Sequence, residues 1–250
     1  MSASLAERIR AREKLVGTIV TLAAPEVAEV LTGAGFDWLF VDTEHAPLDM
    51  LAAQTLLAAA RIPCVVRVAD GHEATIKRAL DIGAAGIVVP MVNSASQARA
   101  IVQFAKYPPL GVRGVGIVRA QGYGFGFADY VKTANERTAV VVQCEHVAAV
   151  EMIDAIVAVE GVDAVFVGPY DLSGSMGRLG DVEHPEVLAA LATVRDACQR
   201  AGRALGIYVA SAERARAFAA EGYSLIAVGI DAQLLGEAGR SIVTTLARAD

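Results

Sequence analysis

The sequence predicts a closed (β/α)8 barrel, the TIM-barrel architecture, and three observations carry that prediction. Eight short, nearly all-apolar runs recur along the 250 residues, as expected of parallel strands covered on both faces. Alanine-rich segments of helical length separate them. No G-x-G-x-x-G follows the first run, which counts against an open dinucleotide-binding sheet. A chain of this length fits one such barrel as a single domain over 1–250, with no linker or low-complexity stretch.

In order, the strand runs are Val16–Leu22, Trp38–Val41, Cys64–Val68, Gly86–Pro90, Val140–Cys144, Ala164–Val167, Leu205–Val209 and Leu225–Val228. The first helix, PEVAEVLTGAG, has proline in its first turn and glycine at its end. DMLAAQTLLAAAR, ATIKRALDIG, ASQARAIVQFAK, VAAVEMIDAIVAVEG, HPEVLAALATVRDACQRAG and SAERARAFAAEG follow, several opened by serine or aspartate and closed by glycine. The last helix spans 231–249. One segment breaks the rhythm: Tyr107 to Arg137 is about twice the usual connection, rich in glycine and arginine, and ends in a helical piece. Insertions of that kind on a compact scaffold serve function or an interface.

Composition removes several classes of function. A formal net charge of −6 argues against nucleic acid or an acidic membrane surface as partner. The N-terminal MSASLAERIRAREKL is amphipathic and charged, without an apolar signal core, and no apolar run is long enough to span a bilayer. Cys64, Cys144 and Cys198 form neither a disulfide framework nor a zinc motif. The expectation is a soluble cytoplasmic protein.

In such barrels the chemistry lies at the C-terminal ends of the strands. The second strand ends in Asp42, Glu44 and His45, the third in Arg67, the fifth in Gln143 and Glu145, and the sixth runs into Asp171. Strands one, four, seven and eight end blandly in TLAAP, VVPM, YVAS and VGID. Alternation puts Gln143 and Glu145 on one face and Cys144 on the other. None of the four lysines, Lys14, Lys77, Lys106 and Lys132, stands at a strand end, so a Schiff base is disfavoured. Glu145 and Asp171, on adjacent strands, suit a divalent hard cation, Mg2+, Mn2+ or Co2+, better than structural Zn2+. The bland alternative is that either carboxylate ion-pairs with Arg67, which does not exclude a metal.

GFDWLFVDTEHAPLD, VVRV, ALDIGAAGIVVPMV, GVRGVG, DYVKTAN, VVQCEH, EGVDAVFVGPYDLSGSMG and HPEV, taken together and in this order, resemble the HpcH/HpaI family of metal-dependent pyruvate aldolases. The resemblance implies a (β/α)8 barrel of the phosphoenolpyruvate/pyruvate type. It implies reversible cleavage of a 4-hydroxy-2-oxo acid into pyruvate and an aldehyde through a pyruvate enolate. It makes Glu145 and Asp171 the metal ligands. Arg67 would stabilise the enolate, and His45, oriented by Asp42, would transfer the proton. Gln143 and the backbone around Gly168, Pro169 and Tyr170 would hold the pyruvate end, with Glu44 supporting a water or the loop near the metal. A homo-hexamer, a trimer of dimers with the C-terminal helix packed on a neighbour, is also implied.

The chain departs from the family pattern in two places. Tyr170 stands where a small residue is common, and no second arginine follows Arg119. That makes a dicarboxylate-like acceptor less expected than a sugar-acid one. The rivals are a lyase acting on an acyl-CoA or citryl thioester, a phosphate-binding biosynthetic barrel, and a barrel that binds keto acids without catalysis.

Overall fold

In the computed structural model, described over residues 3–247, the eight strands close in sequence order into one parallel barrel, β1-β2-β3-β4-β5-β6-β7-β8. They are β1 Leu15–Val20, β2 Trp38–Asp42, β3 Cys64–Arg67, β4 Gly86–Val89, β5 Ala139–Cys144, β6 Ala164–Val167, β7 Ala204–Val209 and β8 Leu225–Ile230. The helices are α1 Leu5–Arg10, α2 Pro25–Gly33, α3 Met50–Ala59, α4 Glu73–Asp81, α5 Ala95–Ala105, α6 Phe127–Arg137, α7 Val147–Glu151, α8 Ile153–Val157, α9 Pro169–Ser175, α10 Pro185–Ala201, α11 Ala212–Ala220 and α12 Asp231–Ala247. Residues 248 and 249 of the predicted last helix lie outside the described residues.

The strict alternation of the strands divides the buried side chains into two sets. Outward-facing residues such as Val41, Val66, Val142, Cys144 and Ile207 join the helices in one large core. Inward-facing residues, among them Trp38, Phe40, Val65, Val141 and Phe166, fill the barrel. The amphipathic N-terminus becomes α1, whose Leu5, Ala6 and Ile9 join this inner cluster. Its capping box, Ser4 with Glu7, satisfies the first helical N–H groups.

Three expectations are corrected. The first strand stops at Val20 rather than Leu22, because the N–H groups of Thr21 and Leu22 donate instead to the buried Asp231 carboxylate, each at 2.9 Å. The predicted helix VAAVEMIDAIVAVEG is broken at Met152 into α7 and α8, and Ile153, Ile156 and Val157 are buried after the break. The sixth strand does not run straight into Asp171. Pro169 opens the seven-residue helix α9, a position where proline's missing N–H costs nothing, and Asp171 sits in its first turn.

The inserted segment holds a 3-10 turn at Arg119–Gly124 followed by α6. The Arg113 guanidinium is fully buried between Asp81, at 2.7 Å, and the Tyr107 ring. Arg119 donates to the carbonyls of Ile82 and Leu57, at the ends of α4 and α3. Among the described residues, no helix is long and apolar enough to cross a membrane.

Candidate active site at the barrel mouth

The register of β2 on β3 sets Asp42 beside Arg67, and both point inward with Phe40 and Val65. The guanidinium grips the carboxylate in bidentate fashion, Nε to Oδ1 at 2.9 Å and Nη2 to Oδ2 at 2.6 Å, and its Cζ lies 5.2 Å from the centre of the Phe40 ring. Asp42 Oδ1 also accepts the backbone N–H groups of Glu44 and His45, so this one carboxylate shapes the turn after β2. Burial pushes the Asp42 carboxyl up; the Arg67 hydrogen bonds and charge and the two backbone donors outweigh it and hold it below its usual range.

Asp42 therefore does not orient the His45 ring, as the sequence-based expectation had it. It holds the backbone of His45, while the imidazole Nε2 lies 3.6 Å from Glu44 Oε2 and the ring is 66% exposed. Glu44 stands between the histidine and Arg67, with Oε2 3.2 Å from Arg67 Nε. That oxygen is buried without a hydrogen bond, and burial raises the Glu44 carboxyl above its ordinary value despite Arg67. The partners of Arg67 are thus Asp42 and Glu44, and Glu145 and Asp171 are not drawn into ion pairs with it.

Across the mouth, β5 presents Gln143 and Glu145, both buried and both inward. Glu145 Oε1 accepts the Met91 N–H at 2.7 Å, and Oε2 accepts from the Gln143 amide. Met91 reaches that position with φ +54°, a left-handed conformation that a non-glycine residue holds only under constraint. Gly168 packs against the same carboxylate. A Cβ there would lie 3.0 Å from Glu145 Oε2 and 3.1 Å from its Cβ, so a side chain at this position would press on the carboxylate where α9 approaches β5. Burial raises the Glu145 carboxyl above its ordinary value, and the nearby Asp171 charge adds to the rise.

This donor set fits a hard divalent cation. Glu145 is fixed from two sides yet carries an electrostatic penalty that a cation would relieve, and Asp171 faces solvent beside it. Gln143 Oε1 is a buried oxygen without a partner. Among the described residues, no group of three or more His, Cys, Asp or Glu is placed to hold a metal ion by itself. Two carboxylates with room for water and substrate oxygens is the arrangement expected of a Mg2+-type site, unlike a closed zinc site.

The other histidines and thiols take structural roles. His146 and His184 are N-caps whose Nδ1 atoms accept from Ala148 and Glu186. His72 precedes α4. Burial pushes the Cys144 thiol up to about 12, away from nucleophilic use. Lys106 is buried on the carbonyls of Asn135 and Thr138, each 2.7 Å from Nζ, at the end of α6. Sequence reasoning passed over Met91 and Tyr208. Nothing in VVPM signals a left-handed backbone. Tyr208 was legible, since it lies two residues past the inward Gly206.

The pattern of the HpcH/HpaI aldolase/citrate lyase family matches residues 16–238. A hydroxypyruvate/pyruvate aldolase of Pseudomonas aeruginosa is 44% identical over 234 residues, 92% of this chain and 87% of that protein. A 4-hydroxy-2-oxo-heptane-1,7-dioate aldolase of Escherichia coli is 39% identical over 246 residues, 97% of this chain and 94% of that protein. The crystal structure of a family protein from Burkholderia cenocepacia J2315 superposes with a TM-score of 0.92 at 38% identity, covering 97% of this chain and 98% of that one. The eight-stranded barrel, the strand-end carboxylates and these likenesses agree: the chain belongs to the HpcH/HpaI aldolase/citrate lyase family.

Proposed function

We propose that the protein is a metal-dependent aldolase that cleaves a 4-hydroxy-2-oxo acid reversibly into pyruvate and an aldehyde. The observation that carries this is the facing pair of clusters at one barrel mouth: Glu145 and Asp171 on one side, Arg67 held by Asp42 and Glu44 on the other. Glu145 and Asp171 would hold Mg2+, Mn2+ or Co2+, which when bound supplies Lewis-acid stabilisation of the 2-oxo group. Arg67 places a fixed positive charge, already aligned by Asp42, where the enolate oxygen develops. Gln143 and the backbone from Gly168 through Pro169 to Tyr170 hold the carboxylate end of pyruvate. His45, at the solvent side and next to Glu44, accepts the C4 hydroxyl proton as the C3–C4 bond breaks. The electron pair of that bond passes to C3 and on to the 2-oxo oxygen, and a proton returned to C3 completes pyruvate.

Pyruvate release from a panel of 4-hydroxy-2-oxo acids is expected to disappear in EDTA and return with excess Mn2+ or Mg2+; full activity in EDTA would refute the metal assignment. His45→Ala is expected to lower turnover by about 10²-fold, the lower end for a positioned base. Wild-type turnover in that variant would remove His45 from the proton path.

The cytoplasm suits three buried, free cysteines. A homo-hexamer is supported by α12, of which Asp231 is the buried residue, while Leu235, Ile242, Val243 and Leu246 are exposed. Val115, Ile117 and Phe125 of the inserted segment are exposed as well. Light scattering is expected to give about six times the 26.0 kDa chain mass; a monomer at micromolar concentration would exclude the assembly.

A further inference from the structure

The inward face of β7 continues past Gly206 to Tyr208, which packs half-buried against the inner cluster. Register places it precisely enough for a functional comparison of heights: Gln143 pairs with Phe166, and Phe166 with Gly206. Two residues further along each chain come Glu145, Gly168 and Tyr208, so the phenol stands level with the candidate metal ligand, two strands away. Tyr170, next to Asp171, is close enough that its phenol, after burial, helps raise the Tyr208 hydroxyl above its ordinary value. Both residues also line a cavity of about 390 Å3 beside the C-terminal ends of β6 and β7, bounded further by Asp181, Glu183, Arg214 and Phe218. Among the described residues, neither phenol hydrogen-bonds to another side chain or to the backbone.

The charges in this cavity are unequal. Arg214 is already paired with Glu183, Nη1 to Oε1 at 2.6 Å, and its Cζ lies 5.5 Å from the Phe218 ring centre. Asp181 adds a further negative charge. A second substrate carboxylate would meet two acidic side chains and one occupied guanidinium. A neutral hydroxylated chain would meet two free phenols, each able to donate and accept. We propose that Tyr208, with Tyr170, binds the aldehyde end of the substrate and selects a short hydroxylated aldehyde over a carboxylated or unsubstituted one. This rests on the aldolase reading given above.

The test runs the aldol addition with pyruvate, comparing kcat/KM for glyceraldehyde, propanal and succinic semialdehyde in the wild type, Tyr208→Phe and Tyr170→Phe. The wild type is expected to prefer glyceraldehyde to both others. Each variant is expected to lower the glyceraldehyde-to-propanal ratio by about 3- to 10-fold, the loss of one neutral hydrogen bond. A ratio within about 2-fold of wild type in both variants, or a wild type that prefers succinic semialdehyde, would overturn the assignment. Because the readout is a ratio, a general loss of activity cancels from it. If Tyr208→Phe does not fold, the exposed Tyr170 supplies the same measurement. A wild type with no EDTA-sensitive pyruvate release refutes the aldolase reading itself; EDTA-sensitive turnover with an unmoved ratio refutes the tyrosine assignment alone.

Discussion

Glu145→Gln is expected to lower kcat/KM by about 10³-fold or more, because it removes one of two carboxylates that would hold the cation, and Lewis-acid stabilisation is worth several kcal/mol. Mn2+ binding, followed by titration calorimetry or electron paramagnetic resonance, is expected to weaken with it. The same change is expected to stabilise the metal-free protein. The folded-state pKa of Glu145 lies above its unfolded value, chiefly through burial. The fold therefore binds this proton more tightly than the unfolded chain does. Stability falls as pH rises from the ordinary carboxyl range through the raised value, and the full penalty is present above it.

Gln removes that penalty and keeps the contacts. Its oxygen can still accept the Met91 N–H, and its amide can donate to Gln143 once the Gln143 amide turns its unpartnered oxygen towards it. In EDTA at pH 8 the variant is expected to melt about 2–4 °C higher than the parent, the shift that roughly 1 kcal/mol makes in a chain of this size. Near pH 4 the gain should vanish. A variant that melts lower than the parent at pH 8 would show that Glu145 is a structural acid. Retained Mn2+ affinity would show that it is not a ligand.

Arg67→Ala is expected to lower turnover by about 10³-fold, the upper end for loss of one oxyanion-stabilising donor, and to affect Mn2+ binding far less. It also strikes at stability. The side chains of Arg67 and Asp42 are 11% and 3% exposed, so the substitution leaves a buried carboxylate without its partner, at a cost of about 3–5 kcal/mol. The sign of the pH dependence follows from Asp42, whose folded-state pKa is depressed in the parent. That stabilisation is fully present above the unfolded value and is lost as pH falls through the folded one. In the variant burial remains and the guanidinium does not, so protonation of Asp42 relieves the penalty. The difference in denaturation midpoint between parent and variant is therefore expected to shrink as pH drops below 5. Arg67→Lys restores a charge without the two-pronged grip and is expected to recover part of the stability and little of the turnover. An Arg67→Ala protein with parental turnover would remove Arg67 from the chemistry; a pH-independent stability gap would break the link to Asp42.

The apolar runs and their helical spacers determined the barrel. A strand buried on both faces has few other ways to be written, and all eight predicted runs match the observed strands to within two residues at each end. The strand-end positions likewise determined which side chains stand at the mouth, since parallel closure in sequence order sends every C-terminal end to one rim. What alternation and spacing could not decide was which of those groups touch.

The tertiary structure decided that Asp42 belongs to Arg67 and not to the His45 ring, because β2 and β3 bring those two side chains level and bidentate geometry outcompetes a neighbour in the chain. It placed a strained backbone N–H from Met91 on Glu145, a contact between residues 54 apart that leaves no trace in VVPM. It turned Asp231, in a strand end that looked bland, into the clamp on the end of β1. Local sequence specifies how each strand begins, alternates and ends. The partners of a buried polar group are fixed by register and closure, which bring together atoms that sequence separation keeps apart.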